Sequence, residues 1–245
     1  MDMPELFSTL AERARLLLQL ARLPVARLRF DQRLNPEGIR RTHALFTRPH
    51  ARYKVFGNKT MGIALVDLRA FEGQAAAYLA SVRRSGHAGP QSKKAAARGY
   101  SVRRFDRNEH ADAIHAIHTS CEERQGRPMD SQYLVKRDDF DTPSHFECHG
   151  VFDAEGRLAG YCTMGRYGNF VATDQLIGYK NQDGIMYLLL STIICGLIEE
   201  GAVDYFMYDT FLGARPGLRD FKRRVGFRPY RARYTLAGAD AAAPA

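Results

Sequence analysis

Three consecutive strands followed by one long apolar helix are the feature of this sequence that most constrains its fold. The residue pattern predicts strands over residues 146–153, 157–166 and 170–179, with short turns at 154–156 and 167–169. The apolar stretch that follows predicts a buried helix over about residues 184–200, ended by Gly201. Because short turns join antiparallel neighbours, the pattern predicts an antiparallel meander covered by a helix.

The segments on either side of this meander also alternate between helices and strands. Before it, the sequence predicts an amphipathic helix between residues 4 and 24 and a hairpin over 53–68 around Gly57-Asn58. A helix over 72–84, a loop at 87–90 and a basic helix ending at Gly99 are predicted next. A strand over 100–105 and a helix capped by Asn108 then lead into the meander. After it come a strand over 203–210, a helix over 216–224 and a strand over 227–236. The Ala-rich tail from Ala237 predicts disorder.

Composition limits the class of protein. Of the 245 residues, 45% are hydrophobic and 26% are charged, which excludes a collagen-like or fully disordered chain. The longest apolar stretch, residues 185–198, is shorter than the roughly 20 residues that cross a bilayer. The N-terminus lacks the pattern of a secretory signal, and the four cysteines form no CxxC pair, which favours reduced thiols. We therefore expect one large domain, or one domain with an N-terminal extension, in the cytoplasm.

The positive charge is concentrated in two segments. The formal net charge is +9, yet residues 83–107 hold eight Lys and Arg against one Asp, and residues 215–233 hold the same excess. Such segments favour an anionic partner, such as the phosphates of a cofactor, a nucleic acid or an acidic surface. The alternative is that both segments form ordinary solvated faces.

The last predicted helix and the turn after it resemble a known motif. Residues 213–227 read GARPGLRDFKRRVGF, in which Phe221 and Lys222 precede Gly226 as Phe-Lys-x-x-x-Gly. This spacing is similar to that of the Fem-type transferases, a branch of the GNAT acyltransferase superfamily that takes its aminoacyl group from a charged tRNA. The run KKAAARGY at residues 93–100 resembles the basic helix-to-strand entry of a Fem-type GNAT half. The order of the predicted elements is also that of the superfamily.

The resemblance implies a fold and a division of the chain. It covers residues 93–236 and implies an α/β (α+β) fold, with a GNAT-like mixed, mostly antiparallel sheet flanked by helices. Residues 1–92 are then an N-terminal helix and β-hairpin extension packed on this core, and residues 237–245 a disordered tail. Two full GNAT halves do not fit in this length.

The resemblance also places the donor site at the start of the long helix, where backbone N–H groups hold a cofactor pyrophosphate in the superfamily. The matching residues 181–186 read NQDGIM, which retains Gly184 but departs from the Arg/Gln-x-x-Gly-x-Gly/Ala pattern at Asn181 and Met186. Asp183 is predicted to cap the helix and occupy the donors that a phosphate needs. This disfavours coenzyme A. Two interpretations remain: the helix start is an ordinary capped terminus without a bound anion, or the donor is a tRNA or carrier protein whose phosphates bind across the basic segments. The candidate donor-binding residues are Lys180, Asn181, Gly184 and Lys222.

The catalytic candidates lie at the end of the strand before the last helix. Acyl transfer to an amine requires a base, a donor to the developing oxyanion and an acid for the leaving group. Asp209 is the candidate base or ammonium anchor, although an Asp there also suits a turn cap. Phe221 stands where the superfamily has its acid tyrosine, so Tyr208, or else Tyr205, is the candidate acid.

A second group of candidates lies in the turn at residues 120–129, where acceptors enter GNAT clefts. Arg124 and Arg127 suit the bidentate grip of a carboxylate or phosphate. Glu122 and Glu123 offer carboxylates to an amine, with Glu123 as a further catalytic candidate, and Met129 completes the substrate-binding set. The alternative is a helix C-cap with local salt bridges.

The histidines and cysteines predict no metal site. His115, His118 and Cys121 drift around a helix, and His145, Cys148 and His149 lack the ligand spacing of structural zinc sites. A Cys121 nucleophile assisted by His118 is a further hypothesis.

Two functions remain open from the sequence. The first is an N-acyltransferase or aminoacyltransferase that moves an acyl group from an activated ester or thioester to a small-molecule or peptide amine. Its co-substrate is acyl-CoA or aminoacyl-tRNA, with tRNA or an acyl carrier protein as a partner and no tightly bound cofactor. The second is a non-catalytic GNAT-like module that binds RNA or an acidic partner through the two basic segments.

Overall fold

The computed structural model describes residues 20–51, 54, 56–84, 88–124, 127–180 and 183–238. Most of the predicted N-terminal helix and most of the predicted disordered tail lie outside these residues. The secondary structure begins with β1 (Val25–Asp31) and α1 (Pro36–Thr47). Asn35 caps α1 by accepting a hydrogen bond from the Gly38 backbone N–H at 2.9 Å.

The middle of the chain alternates between short strands and helices. Its elements are β2 (Ile63–Asp67), a short 3₁₀ helix (Leu68–Phe71), α2 (Ala75–Arg84), α3 (Ala88–Ala97), β3 (Ser101–Arg104), a 3₁₀ turn (Asn108–His110), α4 (Ala111–Thr119), β4 (Glu123–Arg124), β5 (Arg127–Pro128) and α5 (Ser131–Leu134).

The C-terminal half follows the predicted order. It contains β6 (Phe146–Phe152), β7 (Leu158–Arg166), β8 (Phe170–Gly178), α6 (Ile185–Glu200), β9 (Tyr205–Thr210), α7 (Pro216–Arg224) and β10 (Arg228–Ala237). Gly201, with φ 64°, ends α6 as predicted. The predicted meander and the helix that covers it are therefore confirmed.

Eight strands form one mixed sheet in the order β1-β10-β2-β9-β8-β7-β6-β3. The β1/β10 and β8/β9 pairs are parallel, and the other pairs are antiparallel. On one face α6 packs with α2 and α3, and its buried side chains include Leu189, Leu190 and Ile194. On the other face α1 and α4 cover separate clusters. The predicted mostly antiparallel sheet flanked by helices is confirmed.

The predicted hairpin over residues 53–68 is wrong. Tyr53 and Val55 lie outside the described residues, and residues 58–60 form a turn. The strand β2 pairs with β9 and β10 inside the main sheet, and Ile63, Ala64 and Leu65 are fully buried. A continuous buried run is typical of a central strand covered on both faces, which explains the difference. The first 92 residues thus contribute two strands to the sheet.

The predicted cap at Asn108 is also wrong. Its side-chain oxygen accepts a hydrogen bond from the Phe140 backbone N–H at 2.7 Å, and the Asp106 carboxylate accepts from the Asn108 backbone N–H at 2.9 Å. The Asn108 side chain therefore bonds to Phe140, 32 residues away, instead of capping the helix that follows it. The loop predicted at 87–90 is wrong over residues 88–90, which begin α3, and His87 lies outside the described residues.

The turn between β7 and β8 holds the outer edge of β1. The Asn169 side chain accepts from the Arg29 backbone N–H at 2.7 Å and donates to the Arg27 carbonyl at 3.1 Å. Gly168 has φ 145°, and a Cβ there would lie 2.2 Å from the Arg29 carbonyl oxygen. This contact covers an edge that would otherwise be unpaired. It also brings β1 beside β8, around a buried aromatic cluster centred on Phe30.

Candidate active site at the strand divergence

The parallel strands β8 and β9 pair over only three residues before they separate. Phe170, Val171 and Ala172 lie opposite residues 205–207, and the pairing ends there. Beyond this point a cleft of about 440 Å³ opens between the strands. Its walls come from α1, the loop before β2, the segment after β5, β8, β9 and α7, through side chains that include Phe46, Lys59, Met129, Asp174, Asp209 and Lys222.

A β-bulge directs Asp174 into this cleft. Thr163 lies opposite Gln175 and Met164 lies opposite Thr173, so Asp174 is the extra residue of β8. Its side chain is accessible from the cleft, and the described residues offer its carboxylate no hydrogen bond and no salt bridge. Enclosure by the cleft walls raises the pKa of Asp174, and the positive charge of Arg107 opposes this shift. Asp174 is therefore a carboxylate with its acceptor positions open to a ligand.

Asp209 lies at the C-terminal end of β9 and lines the same cleft. Its backbone has φ 48°, an uncommon left-handed conformation for a residue other than glycine. Its carboxylate forms an ion pair with Lys59, which reaches it from the loop before β2. Asp209 thus has the predicted location, but its charge is already matched by a lysine.

Lys222 lies on α7 and is 1% exposed. Its ammonium donates to the Tyr208 carbonyl at 2.8 Å and to the Thr210 carbonyl at 2.7 Å. Burial lowers the pKa of Lys222 to about 8; the negative charge of Asp209 opposes this shift, and Lys59 adds to it. An ammonium has three N–H bonds, so one remains beyond these two carbonyls. The site thus combines an acidic group and a basic group, each with a perturbed pKa.

No protein-family model and no curated protein matches this sequence. Solved structures do match. FemX aligns with 69% of this chain at 12% identity and a TM-score of 0.52. The C-terminal domain of a putative lysylphosphatidylglycerol synthetase from Agrobacterium fabrum aligns with 68% at 17% identity and a TM-score of 0.43. L-PGS from Bacillus licheniformis aligns with 69% at 16% identity and a TM-score of 0.42.

This chain has the GNAT fold. The Fem-type resemblance of its last helix agrees with the similarity to FemX. The chain spans 57% to 59% of the lengths of these three proteins.

The start of α6, where the resemblance predicted a donor pyrophosphate, is closely packed by α3. Gly184 has φ 82°, and a Cβ there would lie 2.5 Å from the Gln91 carbonyl oxygen. The predicted cap at Asp183 is wrong, because its carboxylate pairs with Arg98 and accepts from the Tyr100 hydroxyl at 3.0 Å. Asn181 lies outside the described residues. Gly184 therefore allows α3 to pack closely against the start of α6.

The turn at 120–129 forms a small hairpin of β4 and β5 at one wall of the cleft. Met129 is 8% exposed, lines the cleft, and donates its backbone N–H to the Glu122 carbonyl at 2.8 Å. Lys180, just after β8, donates to the Glu123 carbonyl at 2.6 Å and so attaches the hairpin to the end of that strand. The side chains of Glu122 and Glu123 are exposed and do not line the cleft. Those of Arg124 and Arg127 lie outside what the structure describes.

Tyr208 lies beneath Lys222 at the cleft wall, and its ring also contacts Phe227 edge to face at 5.7 Å.

Behind β8, a buried hydrogen bond of 2.6 Å joins His118 Nε2 and the Tyr161 hydroxyl. The Tyr161 hydroxyl in turn lies 3.2 Å from the Gln175 side-chain oxygen. The described residues contain no group of three His, Cys, Asp or Glu side chains arranged for a metal ion.

Sequence reasoning did not identify Asp174 or Lys59. A signal for the first was present, because Thr173, Asp174 and Gln175 interrupt an otherwise apolar strand. Such an interruption indicates a bulge or a site. No sequence signal identified Lys59, which contacts Asp209 although the two are 150 positions apart in the sequence.

None of the helices in the described ranges has the length and apolar character needed to span a membrane.

Proposed function

We propose that this protein transfers an acyl or aminoacyl group from an activated ester or thioester to an amine. The observation that carries the proposal is that an unmatched carboxylate, Asp174, and a buried lysine, Lys222, line the same cleft at the strand divergence. Perturbed acid and base groups in a shared cleft are typical of catalytic sites. The GNAT fold supports the same reaction class.

Asp174 acts on the acceptor. Its carboxylate accepts hydrogen bonds from the incoming ammonium and takes the proton that the nitrogen must lose before or during attack. The raised pKa makes Asp174 a better base than an ordinary surface aspartate, because basicity follows pKa. Asp209 is the weaker candidate, since its carboxylate is already occupied by the ion pair with Lys59.

Lys222 acts on the donor carbonyl. As the amine nitrogen bonds to the carbonyl carbon, negative charge develops on the oxygen, and the remaining N–H of the Lys222 ammonium stabilises it. The tetrahedral intermediate then expels the alcohol or thiol as the carbon–oxygen or carbon–sulfur bond breaks. With a pKa of about 8, Lys222 is a suitable proton donor to that leaving group.

The donor is a charged tRNA or another carrier whose phosphates lie outside the α6 terminus. Close packing of α3 on Gly184 disfavours a pyrophosphate there. The two basic segments instead offer cations to a polyanion, and their exposed members include Arg83, Arg84, Lys93, Arg103, Arg215 and Arg233.

Label transfer tests the proposal. The purified chain is supplied in parallel with acetyl-CoA, longer acyl thioesters and charged tRNA, each with a pool of amines. Transfer that requires both Asp174 and Lys222 supports it, with Asp153→Asn as the control carboxylate at the β6–β7 turn. Absence of transfer from every donor contradicts it.

The alternative function is a non-catalytic module that binds RNA through the basic segments. The exposure of their arginines and lysines favours it. This function predicts salt-sensitive RNA binding that Asp174→Asn leaves unchanged, with no transfer from any donor.

A further inference from the structure

A small chamber adjoins the cleft on the far side of Gln175. Its volume is about 30 Å³, and its polar lining consists of Arg107, His115, His118, Gln132, Arg137 and Gln175, with the Tyr133 ring beside them. Gln132, Tyr133 and Gln175 line both the chamber and the cleft. No Asp or Glu is among the described residues that line the chamber.

Arg107 is the unusual member of this lining. It is 9% exposed, and no salt bridge joins it to a carboxylate of the described residues. One of its terminal nitrogens donates to the Asp141 carbonyl at 3.0 Å and the Thr142 hydroxyl at 2.9 Å. Its Nε is buried without a hydrogen-bond partner among those residues. The centre of the Phe140 ring lies 4.9 Å from the Arg107 guanidinium carbon, and Asp174 is near enough to feel its charge, but no carboxylate of the described residues pairs with it directly. A buried guanidinium normally has such a partner, which suits an anionic ligand here.

The rest of the lining supports an anion as well. The Nδ1 of His115 is buried and has no hydrogen-bond partner in the described part of the chain. Arg137 adds a second positive charge at the chamber. The amide groups of Gln132 and Gln175 carry further N–H donors.

The chamber is small, about 30 Å³, which favours a small anion. A carboxylate has two oxygens, and its planar shape suits the fork of a guanidinium. A phosphate, with four oxygens, is bulkier and fits this space less well.

We propose that this chamber binds a carboxylate carried by the amine acceptor. The acceptor is then an amino acid or a peptide end in which the reacting amine lies in the cleft near Asp174 and the carboxylate lies against Arg107. The neighbouring positions of Asp174 and Gln175 on β8 connect the two subsites. The inference rests on the proposed function for the role of the ligand, but binding itself requires no donor.

Binding without donor tests the proposal. The probes are L-alanine, β-alanine and L-lysine, each compared with its own carboxamide, and inorganic phosphate. The readouts are affinity by calorimetry and the NMR resonance of the Arg107 Nε–H. We expect at least one amino acid to bind about 10 to 100 times more tightly than its amide, as a charged hydrogen bond would provide, and to shift that resonance.

Two variants test whether Arg107 causes the preference for the carboxylate. Arg107→Met should remove the preference for the carboxylate, while Arg157→Met, at the exposed β6–β7 turn, should retain it. If Arg107→Met does not fold, the wild-type NMR titration alone decides. Equal affinity for acid and amide, an unmoved Arg107 resonance, or a preference for phosphate would each overturn the proposal. Selective binding without transfer would instead overturn the proposed function and leave this subsite in place.

Discussion

The Lys222 ammonium lies 4.2 Å from the centre of the Tyr208 ring. The same ammonium donates to the carbonyls of Tyr208 and Thr210, so α7 is held to the end of β9 by one buried cation. The ring face and the two carbonyls stabilise the charge, while burial opposes it. Burial lowers the pKa of Lys222 to about 8, near physiological pH, against the opposing charge of Asp209.

The first prediction concerns the pH profile of transfer. The proposed mechanism requires Asp174 ionised and Lys222 protonated, so the pH profile of transfer should be bell-shaped. The alkaline side should fall near pH 8, because Lys222 loses its proton there. Lys222→Arg should remove the alkaline fall, since arginine stays charged. A profile of kcat/KM over pH checks this, and an unchanged alkaline limb in Lys222→Arg would argue against the role of Lys222.

The second prediction concerns the neighbours of Lys222. Asp209 raises the Lys222 pKa and Lys59 lowers it. Asp209→Asn should therefore move the alkaline limb to lower pH, and Lys59→Met should move it to higher pH. Comparison of the two profiles with that of wild type measures both shifts. Shifts in the same direction would contradict the assignment of the alkaline limb to Lys222.

The third prediction concerns the turn that holds β1. Gly168→Ala should lower the free energy of unfolding by about 2 to 4 kcal/mol, because its Cβ would meet the Arg29 carbonyl oxygen and its φ disfavours alanine. Gly156→Ala is the matched control, since Gly156 also has positive φ but has nothing within 4 Å of the added carbon. Its cost should be about 1 kcal/mol. Urea unfolding compares the two, and equal costs would show that the β1 contact adds no stability.

The fourth prediction concerns the donor. Arg215 is exposed at the start of α7, near the cleft wall formed by Leu218. If a polyanionic donor lies there, Arg215→Glu should weaken its binding and reduce the dependence of affinity on salt. Arg157→Glu, on the β6–β7 turn, should do neither. Titrations of tRNA at several salt concentrations check this, and identical slopes for both variants would exclude α7 from the donor surface.

Much of the fold followed from sequence patterns alone. The meander, α6 and the last helix and strand were predictable, because their apolar periods and glycine turns are local signals. The strand β2 was mistaken for half of a hairpin, since its partners β9 and β10 lie more than a hundred residues away. Its continuous apolar run was the only local sign that both faces would be covered.

The site was less predictable for the same physical reason. Asp183 suits a helix cap locally, but Arg98 and Tyr100 take its carboxylate. The polar residues 173–175 mark an interruption of β8, but the one-residue shift that directs Asp174 into the cleft depends on its pairing with β7. Lys222, chosen from its motif, does lie at the cleft.

The central claim is that the carboxylate of Asp174 accepts the acceptor's proton. Its most direct test is the single-turnover rate of label transfer in wild type, Asp174→Asn and the control Asp153→Asn at one pH. Loss of a general base should slow Asp174→Asn by about 10² to 10⁴ and leave Asp153→Asn unchanged. A rate in Asp174→Asn equal to that of wild type would contradict the account.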